Sequence, residues 1–197
     1  YGTEDVADTA IGMMLSLTKR IGETDKALLK SIETYLSGIA TMDARFLQLA
    51  NGRLAEGRVL IARPGKMRIE YDPPVPVQMI ANGFWVLYFD KKLNQTSYIP
   101  SSKTPLAVLL ADPVKLDERV TIVGIERAAG ASRVTLVLTD SPESGALTVV
   151  FEDRPLRLVK WEILDAAGTR VEVALIDPRF GVAIDGKQFD IADPREN

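Results

Sequence analysis

The sequence contains no cysteine and no histidine. Without cysteine there is no disulfide and no thiolate metal site, while the compartment stays open, since disulfide-free proteins occur everywhere. Without histidine there is no imidazole base, no Ser-His-Asp triad and none of the usual zinc ligands. No apolar run reaches the roughly 18 residues that a membrane-spanning helix requires. A Gly-rich phosphate loop and a Gly-x-Ser-x-Gly elbow are also missing. The net charge is only −3, which gives no long-range attraction to nucleic acid or an anionic membrane. Catalytic residues, metal and cofactor are therefore all expected to be absent.

What is present is apolar. Hydrophobic residues make up 46% of the 197, enough for a sizeable core in one domain, or one domain with a small appendage. The chain starts at Tyr1 rather than Met. A removed leader or a trimmed chain would explain this, and the former points to export. Residues 1–23 carry Val6, Ala10, Met13, Met14, Leu17 and Ile21 at helical spacing, interrupted by Gly12 and Gly22. They read as a helical arm, either packed on the body or free to dock elsewhere, preceding a single domain over 24–197. The spacing predicts a second helix over 24–40, capped by Thr24, with Leu28, Ile32, Tyr35, Leu36 and Ile39 in one stripe.

From Met42 the pattern is β. Strands are predicted near 42–50, 54–63, 66–71, 76–82, 84–89 and 94–99, then 119–128, 132–139, 146–152, 156–165 and 169–176, with a last edge strand at 188–191. The joints are short turns such as Pro64-Gly65 and Asn82-Gly83, which imply antiparallel neighbours. Strand 84–89 is apolar on both faces and needs cover on each. The run breaks once, at 101–112. There Thr104 caps a short helix opened by Pro105, carrying Leu106, Leu109 and Leu110 and stopped by Asp112-Pro113. Mainly β with some α, the fold is expected to be an incomplete antiparallel barrel of about eleven strands. The long helix and the short inserted one would cover its open side.

One residue is out of place. Val59 and Ile61 share parity with Arg63, so an inward apolar face would carry a guanidinium at its rim. A buried charge needs a partner. Arg58, Lys66 and Arg68 lie near the same turn and read as a solvated face. The acidic pairs Asp117-Glu118 and Glu152-Asp153 read as surface. The inner wall is expected to comprise Val59, Ile61, Met67, Ile69, Tyr71 and Met79 from strands, Leu28, Ile32 and Ile39 from the helix, and the three lid leucines; each is equally readable as plain core. A hydrolase using Ser101 or Ser102 would have only Lys103 as a nearby base.

The ordered set of residues resembles the periplasmic outer-membrane lipoprotein carrier (LolA) family. It comprises Phe46-x-Gln48, Gly57, Arg63-Pro64-Gly65-Lys66-Met67-Arg68, Glu70-Tyr71 with Pro74, and Asn82-Gly83 before the aromatic strand ending Phe89-Asp90. Leu93, Gln95, Thr104-Pro105, Leu109-Leu110, Asp165-x-x-Gly168 and Phe189-x-Ile191 with Pro194 continue it. The resemblance implies a periplasmic, monomeric, non-enzymatic half-barrel whose lidded cavity shields the acyl chains of lipoproteins. It implies loading from an inner-membrane ABC-type release complex and delivery to an outer-membrane acceptor. It further implies that Arg63 latches the lid helix by bonding to its backbone. The alternative within the same fold is a lipid- or lipoprotein-sensing module of an envelope-stress pathway.

Overall fold

Successive short turns leave the chain no choice but to lay each strand beside the last. In the computed structural model, which describes residues 22–116 and 119–191, they do so twice. Strands β1 (Thr41–Ala50), β2 (Arg53–Ala62), β3 (Lys66–Tyr71), β4 (Val77–Asn82), β5 (Trp85–Asp90) and β6 (Gln95–Pro100) form one meander. Strands β7 (Val120–Ala128), β8 (Ala131–Leu138), β9 (Gly145–Asp153), β10 (Leu156–Asp165) and β11 (Arg170–Phe180) form a second. The two join where β11 pairs antiparallel with β1, giving one sheet in the order β6-β5-β4-β3-β2-β1-β11-β10-β9-β8-β7. The outer edges β6 and β7 do not pair, so the barrel is incomplete, as the pattern of strands and turns predicted. The segment from Ser101 to Arg119 has to travel from one free edge to the other.

Register assigns the faces. Ala44, Val59, Ile69, Met79 and Tyr88 stand opposite one another across successive strands, as do Met42, Ile61, Met67, Ala81 and Val86. These rows form the inner face. Helix α1 (Glu23–Ser37) lies over it, with Ile32 and Leu36 fully buried. Tyr35 anchors the helix: its hydroxyl accepts from the Leu158 N–H (3.2 Å), and its ring meets Phe151 edge-on at 6.0 Å. Arg127 holds the helix start by donating to the Thr24 carbonyl at 2.9 Å. The helix cap is Gly22 rather than Thr24, and the helix stops at Ser37 rather than 40. Glu23 and Asp25 in the first turn already suit the positive end of the dipole without a side-chain cap. Residues 1–21, which hold most of the expected N-terminal arm, lie outside the described residues.

The outer face is less exposed than alternation alone implies. Leu60, Ile80, Leu87 and Phe89 are buried there, beneath the chain that follows β11. That chain does not form the edge strand expected at 188–191. It makes a single 3₁₀ turn, Gly186–Phe189, capped by Asp185 and packed on β3 and β4, with Phe189 buried. Arg68 is consequently not a solvated residue: it donates to the Gln188 carbonyl (2.9 Å) and to Glu70 Oε1 (2.9 Å). The two-sided apolar strand around Leu87 thus has cover on each face over part of its length, while Phe84 and Trp85 at its start remain exposed.

Asp43 ties the centre of the sheet. Its carboxylate is buried on the outer face and accepts from Arg58 Nε (2.8 Å) and Nη2 (2.9 Å), and from Arg179 across the β1–β11 seam. The Arg58 hydrogen bonds hold its pKa below the ordinary carboxylate value, against the opposing effect of burial. A depressed folded-state pKa stabilises the fold above the unfolded value of about 3.9 and is lost as pH falls through the lower folded value. Asp43→Asn is expected to lower stability at pH 7 by about 2 kcal/mol. It should cost much less near pH 2, so urea midpoints of wild type and variant converge in acid.

Gly57 shows how closely the inner face is built. A Cβ there would lie 2.1 Å from the Glu70 carbonyl oxygen and 2.6 Å from Phe46 Cζ. The Phe46 ring occupies the missing side chain's space and meets Tyr71 edge-on at 5.4 Å. Gly57→Ala is expected to cost about 3 kcal/mol of stability, read from chemical denaturation, because the clash is partly with backbone.

Candidate functional site: a lidded apolar cavity

The crossing segment is the candidate lid. Pro105–Leu110 forms a 3₁₀ helix rather than the expected α-helix, opened by Thr104, whose Oγ1 accepts from the Leu106 N–H. A six-residue helix that opens on Pro105 and is followed by Pro113 is too short to propagate as an α-helix. The 3₁₀ form also rises about 2.0 Å per residue against 1.5 Å, so it reaches further across the mouth. Leu106, Val108, Leu109 and Leu110 are buried beneath it, against β8, β9 and the inner face.

Hydrogen bonds fasten the lid on two sides. On one side is the β2–β3 turn. Arg63 donates from Nε (2.9 Å) and Nη2 (2.5 Å) to the Leu109 carbonyl, and the Gly65 N–H donates to the Leu110 carbonyl (2.8 Å). Gly65 is at φ +74°, and a Cβ on it would meet Gly83 Cα at 2.6 Å, so this turn abuts the β4–β5 turn. On the other side is α1. Ser37 Oγ accepts from the Val114 N–H (3.0 Å) and Glu33 Oε1 from the Leu116 N–H (2.7 Å). Arg63 faces no carboxylate within ion-pair distance among the described residues, and its Nη1 is buried without a protein partner. Burial pushes the guanidinium pKa down, with Asp112 a smaller opposing influence. The group stays charged, since a guanidinium remains protonated throughout the ordinary pH range.

Beneath the lid the space is nearly gone. A void of about 10 Å³ remains, walled by Ile39, Met42, Ile61, Met67, Leu158, Trp161 and the lid leucines Leu106, Leu109 and Leu110, with Arg63 at its rim. That volume holds at most one water. The described state is closed. A larger cavity, about 320 Å³, opens on the outer face beneath the chain after β11, but Asp43, Arg58, Arg179 and Asp185 line it. Charged walls of that kind disfavour an apolar guest.

A family model described as outer membrane lipoprotein carrier protein LolA matches residues 37–192. The chain belongs to the LolA family. An outer-membrane lipoprotein carrier protein of Xanthomonas campestris is 31% identical over 160 residues, 74% of each chain. One from Pseudomonas paraeruginosa is 28% identical over 181 residues, 86% of each. A putative outer membrane lipoprotein-sorting protein domain from Vibrio parahaemolyticus shares the fold, with a TM-score of 0.52 at 12% identity over 82% of this chain and 94% of that one. LolA-family carriers are binding proteins, not enzymes, so this LolA-family chain is not an enzyme. Ser101 Oγ is buried with no hydrogen-bond partner, so no base is in place on it, and Ser102 is exposed.

The predicted wall residues divide into two groups. Ile39, Ile61, Met67 and the three lid leucines border the void of this LolA-family chain. Leu28, Ile32, Val59, Ile69, Tyr71 and Met79 lie in the same apolar cluster but away from it. Tyr71 donates to Gln48 Oε1 (2.7 Å), which joins two of the motif residues, and burial raises its phenol pKa. Met42, Leu158 and Trp161 escaped the sequence reading. Met42 was findable by its alternation with Ala44 and Phe46. Leu158 and Trp161 face the same way despite odd spacing, because a bulge falls between Leu158 and Lys160. Basic residues beyond Arg63 divide as well: Arg58 binds Asp43, while Lys66 is exposed.

Two opposed effects meet at Arg63, its bonds to the Leu109 carbonyl and the cost of burying its charge. Arg63→Leu keeps the volume and removes the charge, and is expected to favour the closed lid. Arg63→Glu places a carboxylate against the Leu109 carbonyl and should favour opening. Amide exchange at Ala107 and Ala111, measured by mass spectrometry, should slow about fivefold in the first variant and quicken at least fivefold in the second.

Proposed function

We propose that this chain is a periplasmic carrier that takes the acyl chains of lipoproteins beneath its lid and ferries them from the inner to the outer membrane. The observation that carries the reading is the lid itself. An apolar inner face is closed by a short segment crossing between two unpaired sheet edges, leaving a void of about 10 Å³ where an acyl chain would need far more. The family membership and the carriers it is similar to supply the cargo. Among the described residues no helix is long and apolar enough to cross a membrane.

The need for a carrier is energetic. Each buried methylene is worth about 0.8 kcal/mol, so one chain of about 15 methylenes resists transfer into water by roughly 12 kcal/mol. A carrier works between a donor and an acceptor and has to hold the chains without keeping them. A lid held by hydrogen bonds and a few apolar contacts suits that task. An inner-membrane ABC-type complex is the expected donor and an outer-membrane lipoprotein receptor the expected acceptor, with the carrier acting as a monomer.

Mixing the protein with membranes containing a labelled acylated lipoprotein, the release complex and ATP tests the reading. A water-borne complex of carrier and lipoprotein is expected. Failure to release any, or a stable complex with an envelope-stress regulator in place of delivery, would overturn it. Leu109→Asp sets a carboxylate on the lid's inner side, and should cut cargo retention at least tenfold while leaving the circular dichroism of the sheet unchanged.

A further inference from the structure

The β5–β6 hairpin ends the sheet on the side from which the lid departs, and it leaves large apolar side chains in solvent. Phe84 is 81% exposed and Trp85 46%, with Tyr98 and Ile99 also exposed. Register sets Trp85 opposite Pro100, Val86 opposite Ile99 and Leu87 opposite Tyr98. The four exposed residues therefore gather at one end of the hairpin. That end adjoins the mouth. The Ser101 N–H donates to the Phe84 carbonyl (2.9 Å), the lid helix starts four residues later at Pro105, and Gly83 touches the Gly65 turn.

Two further observations decide what this tip meets. The first is its backbone. The Phe84 and Trp85 N–H groups both donate to Asn82 Oδ1, at 3.1 and 3.0 Å, and the Phe84 carbonyl is taken by Ser101. Phe84 can thus enter an apolar phase without carrying an unpaired backbone group into it, the condition that hydrocarbon imposes. The second is charge. The whole chain is net negative, yet the segments that meet at the tip, 82–86 and 98–103, hold no acidic residue and carry Lys103. Lys66, in register with Asn82, is exposed on the same rim. Aromatic side chains beside lysines are the composition that settles at an anionic bilayer interface.

We propose that the Phe84–Trp85 tip, flanked by Lys66 and Lys103, docks this protein on an anionic phospholipid surface and sets the lid's mouth against the bilayer. The proposal rests on the carrier reading of the cavity, since it says where the acyl chains cross. Docking is shallow. The free edge of β6 keeps unpaired backbone groups that have to stay at headgroup level.

Flotation of the full chain with vesicles of phosphatidylethanolamine containing a minority of phosphatidylglycerol tests this. Binding is expected to the mixed vesicles, to fall as salt rises, and to weaken about tenfold in Phe84→Ser/Trp85→Ser and about tenfold in Lys66→Glu/Lys103→Glu. Lipids with brominated acyl chains should quench Trp85, and Trp85→Phe should abolish that quenching, because the other tryptophan, Trp161, is buried. Variants that float as well as wild type overturn the proposal. So does a wild-type chain that pairs with itself through the tip without floating. The Phe84→Ser/Trp85→Ser variant should still retain a lipoprotein once loaded. Wild-type retention without flotation therefore sinks the docking surface alone, whereas flotation without retention sinks the carrier reading on which it rests.

Discussion

Arg63 carries a full charge into the contact between lid and sheet, and a carbonyl is what receives it. A carboxylate there would have made a strong, permanent clasp. One carbonyl oxygen makes a conditional one, because Nη1 is left without a protein partner and the guanidinium stays partly desolvated. The closed state holds because Leu106, Val108, Leu109 and Leu110 bury together beside it, each contributing about 1.5–3 kcal/mol. Against that stands a desolvation cost of several kcal/mol for the charge. Opposing contributions of similar size are the condition under which a guest can tip the balance.

The topology explains why the clasp falls where it does. Pairing of β1 with β11 merges two meanders into one curled sheet but leaves the outer edges of β6 and β7 unpaired. The crossing segment is thus the natural closure, and it runs over the apolar rows that the register turns inward. Strands β2 and β3 bring their turn to the lid, so Arg63 and Gly65 sit within reach of it. The outer face is secured separately, by Asp43 across the β1–β11 seam and by the turn around Phe189. Lid and outer face do not share a polar contact at Arg63, which lets the mouth change without loosening the sheet's centre.

Much of this was legible because period two and turn chemistry are local. Pro64-Gly65, Asn82-Gly83 and the alternation Met67, Ile69, Tyr71 read directly as strands and turns, and the parity of Val59, Ile61 and Arg63 pointed the guanidinium inward. What stayed hidden is non-local or backbone-borne. The bulge after Leu158 reverses parity, so Trp161 reads as facing the wrong way. The Gly65 N–H to Leu110 bond has no side chain to announce it. Glu33 and Ser37 look like the solvated face of α1 until the chain after the lid is laid against them. The predicted strand at 188–191 failed for a related reason. Its alternation of Gln188, Phe189, Asp190 and Ile191 fits a strand, but no free edge is offered at β3 and β4, so Phe189 covers the sheet's outer face instead.

The two fastenings of the lid are unequal. At the α1 side, the Val114 and Leu116 N–H groups are met by the Ser37 hydroxyl and the Glu33 carboxylate, and α1 is itself pinned to the far meander through Tyr35 and Arg127. Breaking that side relieves no desolvated charge left short of a partner. At the turn side, breaking the Arg63 and Gly65 bonds frees two lid carbonyls to water and restores full hydration to a guanidinium that lacked it. The second rupture refunds part of its own cost. On the carrier reading the lid is expected to part first from the β2–β3 turn, beside Met67 and Ile61, at the end of the sheet where Phe84 and Trp85 stand exposed.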